Sequence, residues 1–230
     1  MKKLFVLFIV IFSISSYAQQ CDTYLLINEG SSFEYTNYDR KGKAITVANH
    51  LAKSVSEAAG VYTSMIGLDV KDLKKGDQFT MEYKVGCEDG ILSIDMSRFF
   101  DSAKLMQYEG ADFDISIEGD VLTFPKNMNA GDELDNGSII IKVVKDNFTL
   151  VTMTMDVLNR KVLANESITT EAGTFDCQKV AYDFESKVGI IKVRGSAQEW
   201  YHKDRLLIKS ESYNKKGKLL GSTALTSIKK

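Results

Sequence analysis

The stretch from residue 165 to residue 184, NESITTEAGTFDCQKVAYDF, contains side chains with the chemistry of a small active site. Cys177 and Lys179 are two residues apart, so in a strand both would project from the same face. A cysteine becomes a nucleophile when a base or a positive charge lowers its pKa. More often, a cysteine in such a context is a small core residue or half of a disulfide. We therefore interpret the stretch as a β-hairpin in which residues 171–174 form the turn.

The histidines offer the other route to catalysis. The chain has two, His50 and His202, and either is a general base in principle. Each stands apart from any hydrolase signature, since the sequence has neither a GxSxG nor an HExxH motif. An active site would need the fold to bring a histidine together with a carboxylate or with Cys177. The sequence alone predicts a protein that is not an enzyme.

Carboxylates gather in one irregular segment, where Asp132, Glu133 and Asp135 lie close together in GDELDNG. Calcium prefers such oxygen ligands, but the spacing differs from that of an EF-hand loop. A solvated turn is the simpler interpretation. We predict no metal and no cofactor.

Charge excludes another class of function. The chain has a net charge of −2, and its lysines and arginines are scattered along the sequence. A nucleic-acid-binding protein needs a basic stripe that displaces counterions from the phosphates. We predict no nucleic-acid partner. With 44% hydrophobic residues, the chain can bury a substantial core.

The N-terminus has the pattern of a secretory signal peptide. Lys2 and Lys3 precede an apolar run from Leu4 to Ile14, and Ser16-Tyr17-Ala18 offers small residues for cleavage. The run is shorter than the roughly 20 apolar residues of a transmembrane helix. We expect residues 1–18 to be removed and residues 19–230 to form one domain. The mature protein is then soluble, in the periplasm or associated with the outer membrane.

Three cysteines remain after that cleavage: Cys21, Cys87 and Cys177. In an oxidising compartment this number favours one disulfide and one free thiol. Spacing does not decide which cysteines pair. We prefer Cys21 with Cys87, because a bridge there would fix the N-terminus. Gln20 replaces the small residue that a lipoprotein signal places before its cysteine, so we do not expect a lipid on Cys21.

Most of the chain after residue 22 has the two-residue period of half-buried strands. In FTMEYKV (79–85) apolar residues alternate with Thr80, Glu82 and Lys84, and VTMTMDV (151–157) and YTSMIGLDV (62–70) repeat the pattern. Glycine-containing turns separate these runs at residues 28–32, 39–43, 71–77, 87–90, 117–120, 171–174 and 214–218. The sequence thus predicts an antiparallel β-meander.

Two segments are exceptions to the strand pattern. Residues 97–110 predict a short helix with Ser97 as its N-cap and Gly110 after its end. Residues 47–60 fit helical and strand spacing equally, and we favour a strand for their second half. The single proline, Pro125, lies in the longest irregular segment.

Methionines are frequent on the predicted strands. Their flexible side chains adapt to irregular apolar partners, so they either fill a core or line a surface that accepts a hydrophobic ligand. A curved sheet with such residues on its concave face would hold a lipid-like molecule.

Three segments resemble known proteins: residues 28–43, residues 159–184 with the pattern E-x-I-T-T-x-A-G-T-F-x-C, and residues 199–228 with a W-Y…G-hydrophobic-x-K-S-E type ending. In the last segment, Asp204-Arg205 stands where the pattern has a glycine before the hydrophobic pair. They resemble a family of secreted Bacteroidota proteins labelled TapB-type, which is similar to β-rich domain-of-unknown-function proteins of Gram-negative periplasms. The resemblance implies a single curved antiparallel sheet, an open half-barrel related to the carriers LolA and LppX, with one or two short helices. It supplies no activity and no catalytic residues.

The leading hypothesis is a non-enzymatic envelope module that holds a lipid-like ligand on the concave face. Alternation and aromatic content select the candidate lining residues Phe79, Met81, Tyr83, Met153, Met155 and Trp200. The alternative is an envelope assembly protein that binds a protein partner through its sheet edges or hairpins.

Overall fold

A computed structural model describes Cys21, residues 23–99 and residues 114–229 of the 230-residue chain. The predicted signal peptide and residues 100–110 of the predicted helix lie outside these residues. The described part contains thirteen strands: β1 (Ser32–Asp39), β2 (Ala44–Ala58), β3 (Val61–Asp72), β4 (Gln78–Glu88), β5 (Ile91–Asp95), β6 (Asp114–Gly119), β7 (Val121–Phe124), β8 (Gly137–Lys145), β9 (Phe148–Thr170), β10 (Gly173–Val188), β11 (Ile191–His202), β12 (Leu207–Asn214) and β13 (Leu219–Lys229).

The strands form one antiparallel sheet in the order β6-β8-β9-β10-β11-β12-β13-β1-β2-β3-β4-β5-β7. Most neighbours in this order are consecutive in the chain and joined by short turns, as a meander requires. The predicted all-β antiparallel fold is confirmed. The segment that fits two periods, residues 47–60, lies in β2 up to Ala58, and the start of the predicted helix is a 3-10 turn, Met96–Phe99.

The sheet closes through its two edge strands, which follow each other in the chain with only Asp120 between them. β6 pairs with β8 at one edge, and β7 pairs with β5 at the other. The Asp120 N–H donates to Ser138 O (2.8 Å), and Asp120 O accepts from the Met96 N–H (3.4 Å). One extended segment thus bridges both edges, and the predicted half-barrel is nearly a closed barrel.

This closure corrects one predicted turn. Residues 117–120 were expected to reverse the chain, but Gly119 ends β6 and the chain runs on into β7. A Cβ on Gly119 would lie 3.0–3.1 Å from two side-chain atoms of Ile139 on β8. The glycine permits a close approach between strands, and a close-packing glycine resembles a turn glycine in a sequence.

Turns alternate between the two ends of the barrel because neighbouring strands are antiparallel. We call the end formed by the turns 40–43, 73–77, 146–147, 189–190 and 215–218 the mouth end. The opposite end, formed by residues 59–60, 89–90, 125–136, 171–172 and 203–206, is the far end.

The N-terminal residues enter the barrel and form its floor. A disulfide joins Cys21 to Cys87 on β4, the pairing preferred from the sequence. The Tyr24 hydroxyl donates to Gly90 O (2.7 Å), and Leu26 and Ile27 are buried in the core. This short segment therefore fills the barrel interior at the far end and leaves space above it.

Candidate functional site

A cavity of about 690 Å³ lies between this floor and the mouth end. Ligand pockets typically have volumes of about 300–1,000 Å³, so its size suits a small molecule. Its lower wall contains Leu26 and Leu206, and its upper wall includes the turn residues Asp72, Lys75 and Asp77. The cavity therefore runs along the barrel interior toward the mouth end.

Apolar side chains from eight strands form most of the cavity wall. They share the inner face of the sheet, because period two directs alternate residues inward. The apolar lining residues on strands are Phe33, Tyr35, Ala48, Leu68, Val70, Phe79, Tyr83, Met155, Tyr182, Phe184, Val188, Val193 and Leu207.

Several polar side chains of the wall are hydrogen-bonded to one another. Near the mouth, Asn37 Nδ2 donates to Thr46 Oγ1 (2.8 Å) and Asn37 Oδ1 accepts from Thr223 Oγ1 (2.5 Å). Deeper, His50 Nδ1 lies 3.0 Å from the Tyr83 hydroxyl. The wall can thus meet polar groups of a ligand at its entrance and at one interior point.

Glu199 places a buried carboxylate in the same wall, with only 4% of its surface exposed. Its Oε1 accepts from the Tyr182 hydroxyl (3.0 Å), and its Oε2 accepts from the Tyr201 hydroxyl. Charged carboxylates are seldom buried unless hydrogen bonds compensate the lost hydration. Both oxygens have such a donor, so Glu199 fixes the two tyrosine rings.

Arg205 is the buried cation of the floor. Its Nη1 donates to Gln178 Oε1 (2.5 Å), and its Nη2 donates to Pro125 O (2.8 Å) and Lys126 O (2.5 Å). Burial lowers the pKa of Arg205, while Tyr24 and Asp204 oppose that shift. The guanidinium thereby fastens the irregular segment 125–136 against the far end.

Three of the six predicted lining residues, Phe79, Tyr83 and Met155, lie in the cavity wall. Met81 is partly buried against the core and lies outside that wall, although it is on the same strand face as Phe79 and Tyr83. Met153 is 2% exposed and belongs to the packed core. Met81 and Met153 therefore lie outside the cavity wall, although each shares a strand face with a residue that lines it.

Trp200 lies on the other face of the sheet. Its neighbour Glu199 lines the cavity, so alternation turns Trp200 outward. The indole Nε1 donates to Glu166 Oε2 (2.7 Å), and the Nζ atoms of Lys179 and Lys209 lie 4.9 and 5.0 Å from the ring centroid. Its low exposure results from these covering side chains, and it does not contribute to the cavity wall.

The surroundings of Cys177 differ from those of a nucleophilic cysteine. Cys177 on β10 is directly opposite His202 on β11, and His202 Nδ1 lies 2.9 Å from Asp204 Oδ1. Burial is the largest influence on the Cys177 thiol, and with nearby Asp176 and Asp204 it raises the pKa from 9.0 to about 12. A nucleophilic thiol requires the opposite shift. The residues form the predicted β9–β10 hairpin, and burial favours the protonated form of the Cys177 thiol.

The remaining candidates make local contacts. Asp132 Oδ2 accepts from the Asn129 N–H (2.7 Å), and Asp135 Oδ2 accepts from Thr123 Oγ1 (2.9 Å), so these carboxylates stabilise their own segment. Lys179 Nζ pairs with Glu166 Oε1 at 3.3 Å.

Sequence reasoning missed Glu199, Arg205 and His50 as residues of the cavity. A polar residue in an alternating strand is expected to face water, and Glu199 reverses that expectation because its tyrosine partners come from the same inner face. Arg205 lies in a turn, and its partners are 27 to 80 residues away in the chain. Neither Glu199 nor Arg205 has a local signature in the sequence.

Within the described residues, no helix is long and apolar enough to cross a membrane.

Comparison with solved structures gives two close matches in fold. The chain is similar to a Bacteroides fragilis protein described as exported and as having a YmcC-like fold, with 25% identity, a TM-score of 0.74, and coverage of 88% of this chain and 97% of that one. It is also similar in fold to a protein of Parabacteroides distasonis described as a lipoprotein, with 22% identity, a TM-score of 0.74, and coverage of 90% and 98%. No curated protein matches the chain.

A family model described as DUF3108-like matches residues 28–225. Those residues include all of the residues that line the cavity except Leu26. The resemblance to β-rich secreted proteins of Bacteroidota is confirmed at this level. This protein belongs to the DUF3108-like family.

Proposed function

We propose that this protein is a non-enzymatic binding module of the cell envelope that holds a lipid-like ligand inside its barrel. The observation that carries this proposal is the cavity of about 690 Å³, whose wall is mostly apolar and lies within a nearly closed sheet. A cavity in a protein core costs stability, since the surrounding side chains lose contacts there. An apolar ligand would restore those contacts.

The distribution of polar groups favours an amphipathic ligand over a pure hydrocarbon. Asn37, Thr46 and Thr223 form their hydrogen-bonded group near the entrance, next to the charged turn residues Asp72 and Lys75. Phe33, Leu68 and Met155 lie among the interior lining residues. An acyl chain in the interior with its polar head at the mouth would match both regions.

The envelope location rests on three supports. The first eighteen residues have the signal-peptide pattern, and the Bacteroides fragilis relative is described as exported. The Cys21–Cys87 disulfide suits an oxidising compartment. Because the Cys21 sulfur is bonded to Cys87, it has no valence left for a lipid thioether. These points favour a periplasmic protein, soluble or associated with the outer membrane.

The candidate catalytic groups have structural partners, which supports a non-enzymatic role. The Cys177 thiol has a raised pKa, and His50 packs between Phe33, Tyr35 and Tyr83 in the barrel interior. Glu199 accepts two tyrosine hydroxyls. Each of these interactions fixes a side chain of the wall.

Mass spectrometry of an organic extract tests the proposal. The protein is purified from the periplasm without detergent, and an apolar molecule should be extracted in stoichiometric amount. Met155→Gln, in the cavity wall, should reduce the extracted amount, while Met81→Gln, outside the wall, should not. A ligand-free wild-type protein, or equal losses in both variants, would contradict a ligand in this cavity.

The second candidate, a protein partner added at a sheet edge, has one supporting observation. Among the described residues, Gln78–Lys84 of β4 pairs with β3, and β4 meets β5 only from Val85 onward. Such a half-paired strand can accept a strand from another chain. A protein that copurifies in stoichiometric amount, in place of a lipid, would favour this candidate.

A further inference from the structure

The two ends of the barrel carry opposite charge. Counted over the five described turns with two flanking residues on either side, the mouth end contains twelve lysines and arginines against four acidic residues. The same windows at the far end contain three basic and eight acidic residues. The scattered charges of the sequence are thus sorted by the fold, since successive turns of the meander alternate between the two ends.

Exposed apolar residues are concentrated at the same mouth end. The windows of the mouth end include six large apolar side chains with substantial exposure, and those of the far end include two. Ile190 is 99% exposed, Phe148 is 74% exposed and Ile191 is 66% exposed. Exposed apolar residues that gather at one end of a protein are candidates for a surface that contacts a partner.

Hydrogen bonds group these side chains into two protruding clusters. The Gly189 N–H donates to Thr152 O (3.2 Å), which holds the tip with Ile190 beside the start of β9. The Leu73 N–H donates to Ile45 O (2.9 Å), which places two further apolar residues side by side. The mouth end therefore presents separate apolar tips among lysines.

We propose that the mouth end docks on the surface of an anionic phospholipid bilayer. Lysines and arginines are attracted to anionic headgroups, and apolar side chains at protruding tips can enter the boundary between headgroups and acyl chains. A protein partner would be expected to cover one continuous apolar patch, whereas these apolar residues stand on several separate hairpins surrounded by positive charge. The charge complementarity thus favours a lipid surface.

Docking in this orientation would point the cavity toward the bilayer. The lining residues Asp72, Lys75 and Asp77 belong to one of the mouth-end turns. The docking proposal does not depend on a ligand in the cavity, because Phe148, Ile190 and the lysines of the turn 215–218 lie outside its wall. The two proposals can therefore fail independently. The organic extract tests the ligand in the cavity, and binding to vesicles tests the docking surface.

Vesicle cosedimentation is the test. The purified protein is mixed with vesicles of phosphatidylcholine alone and with vesicles of equal parts phosphatidylcholine and phosphatidylglycerol. We expect binding to the anionic vesicles only, and a decrease of at least about tenfold when the salt concentration rises to roughly 0.5 M, where screening is strong. Equal binding to both vesicles, or no binding to either, would overturn the proposal and leave an acidic protein surface as the alternative partner.

Matched variants locate the docking surface. The triple variant Lys215→Gln, Lys216→Gln and Lys218→Gln removes three charges from the mouth end, and each charge near an anionic surface contributes about a fivefold change in affinity. The control removes three exposed lysines toward the far end: Lys126→Gln, Lys161→Gln and Lys203→Gln. Only the first variant should lose binding. An equal loss in the control would overturn the assignment to the mouth end.

Insertion of the apolar tips is measured separately. Phe148→Ser with Ile190→Ser should weaken binding at low salt, whereas the far-end pair Val61→Ser with Ile91→Ser should not. A reporter, Ile190→Trp, should shift its fluorescence to shorter wavelength with anionic vesicles. An unshifted reporter on bound protein would contradict insertion at this tip. Thermal unfolding curves that match the wild type show that the variants are folded.

Discussion

Burial governs the chemistry of Cys177, the side chain that first suggested an active site. The thiol is 2% exposed, and its pKa is raised to about 12. At pH 8 it is therefore almost wholly protonated and inaccessible. We expect the native protein to react negligibly with Ellman's reagent. The unfolded protein should react with one equivalent per chain, because the other two cysteines form a disulfide. Rapid labelling of the native protein would contradict this.

The same pKa shift predicts how stability depends on pH. Above pH 9 the unfolded chain loses the Cys177 proton, while the folded protein keeps it until about pH 12. The unfolded state then binds fewer protons, so the free energy of unfolding decreases as pH rises, by up to about 1.4 kcal/mol per unit from this group. Cys177→Ala should flatten the decline between pH 9 and pH 11 in urea unfolding. Parallel curves for wild type and variant would contradict the assignment.

Two methionines on one strand face should respond differently to the same substitution. Met153 is buried in the packed core, so Met153→Gln buries an amide among apolar groups and should cost about 2 kcal/mol or more. Met155 borders the cavity and is only partly buried, so Met155→Gln should cost less than about 1 kcal/mol. Urea unfolding of both variants measures this difference. Equal costs would show that Met155 belongs to the same packed core.

Individual residues of the cavity were predictable only where alternation decided them. Phe79 and Tyr83 alternate on β4 and do line the cavity. Trp200 is large and apolar, which suggested an inward side chain. Alternation on β11 instead directs Glu199 inward, and lysines of the neighbouring strands β10 and β12 cover the indole. Size and hydropathy cannot reveal such a reversal, since it depends on partners contributed by neighbouring strands.

At the scale of elements, the disulfide connects the floor of the barrel to β4. It closes a loop with a sequence separation of 66 residues, and the chain-entropy estimate for such a loop is about 4 kcal/mol. The double variant Cys21→Ser with Cys87→Ser should lose stability on that order in denaturant unfolding. Wild-type protein under reducing conditions should behave in the same way, and unchanged stability in either sample would mean that Tyr24, Leu26 and Ile27 hold the segment unaided.

Elements with a clear period were predicted well. The β9–β10 hairpin around residues 171–172 follows from a glycine turn between two alternating runs. Residues 117–120 were misassigned because Gly119 serves close packing against Ile139 and not a chain reversal. The role of a glycine is decided by the strand beside it, and a single sequence contains no information about that neighbour.

At the scale of the whole molecule, closure and the cavity depend on long-range geometry. Alternation predicts a sheet with an apolar face, and the resemblance predicts that this sheet curves. The near-closure depends on β6 and β7 reaching opposite edges through one residue, Asp120. The cavity depends in turn on how little of the interior the N-terminal segment fills. No local pattern in the sequence shows the near-closure of the sheet or how much of the interior the N-terminal segment fills.

Charge separation is also a property of the whole molecule, and it can be measured without lipid. The chain has a net charge of −2, so evenly distributed charge would give no retention on a cation exchanger at pH 7. β12 spans eight residues between the two ends, roughly 26 Å at about 3.3 Å per residue, which exceeds the Debye length of about 10 Å at 0.1 M salt. A resin can therefore bind the mouth end alone, and we expect the protein to be retained.

The two triple lysine variants make this measurement decisive, because both lower the net charge by the same amount. If retention reflects the local positive charge of the mouth end, the variant at Lys215, Lys216 and Lys218 should elute at lower salt than the variant at Lys126, Lys161 and Lys203. If net charge governs retention, both should elute together. Identical elution would mean that the sorted charges are too dispersed to act as one surface, and vesicle binding would then lack its electrostatic basis.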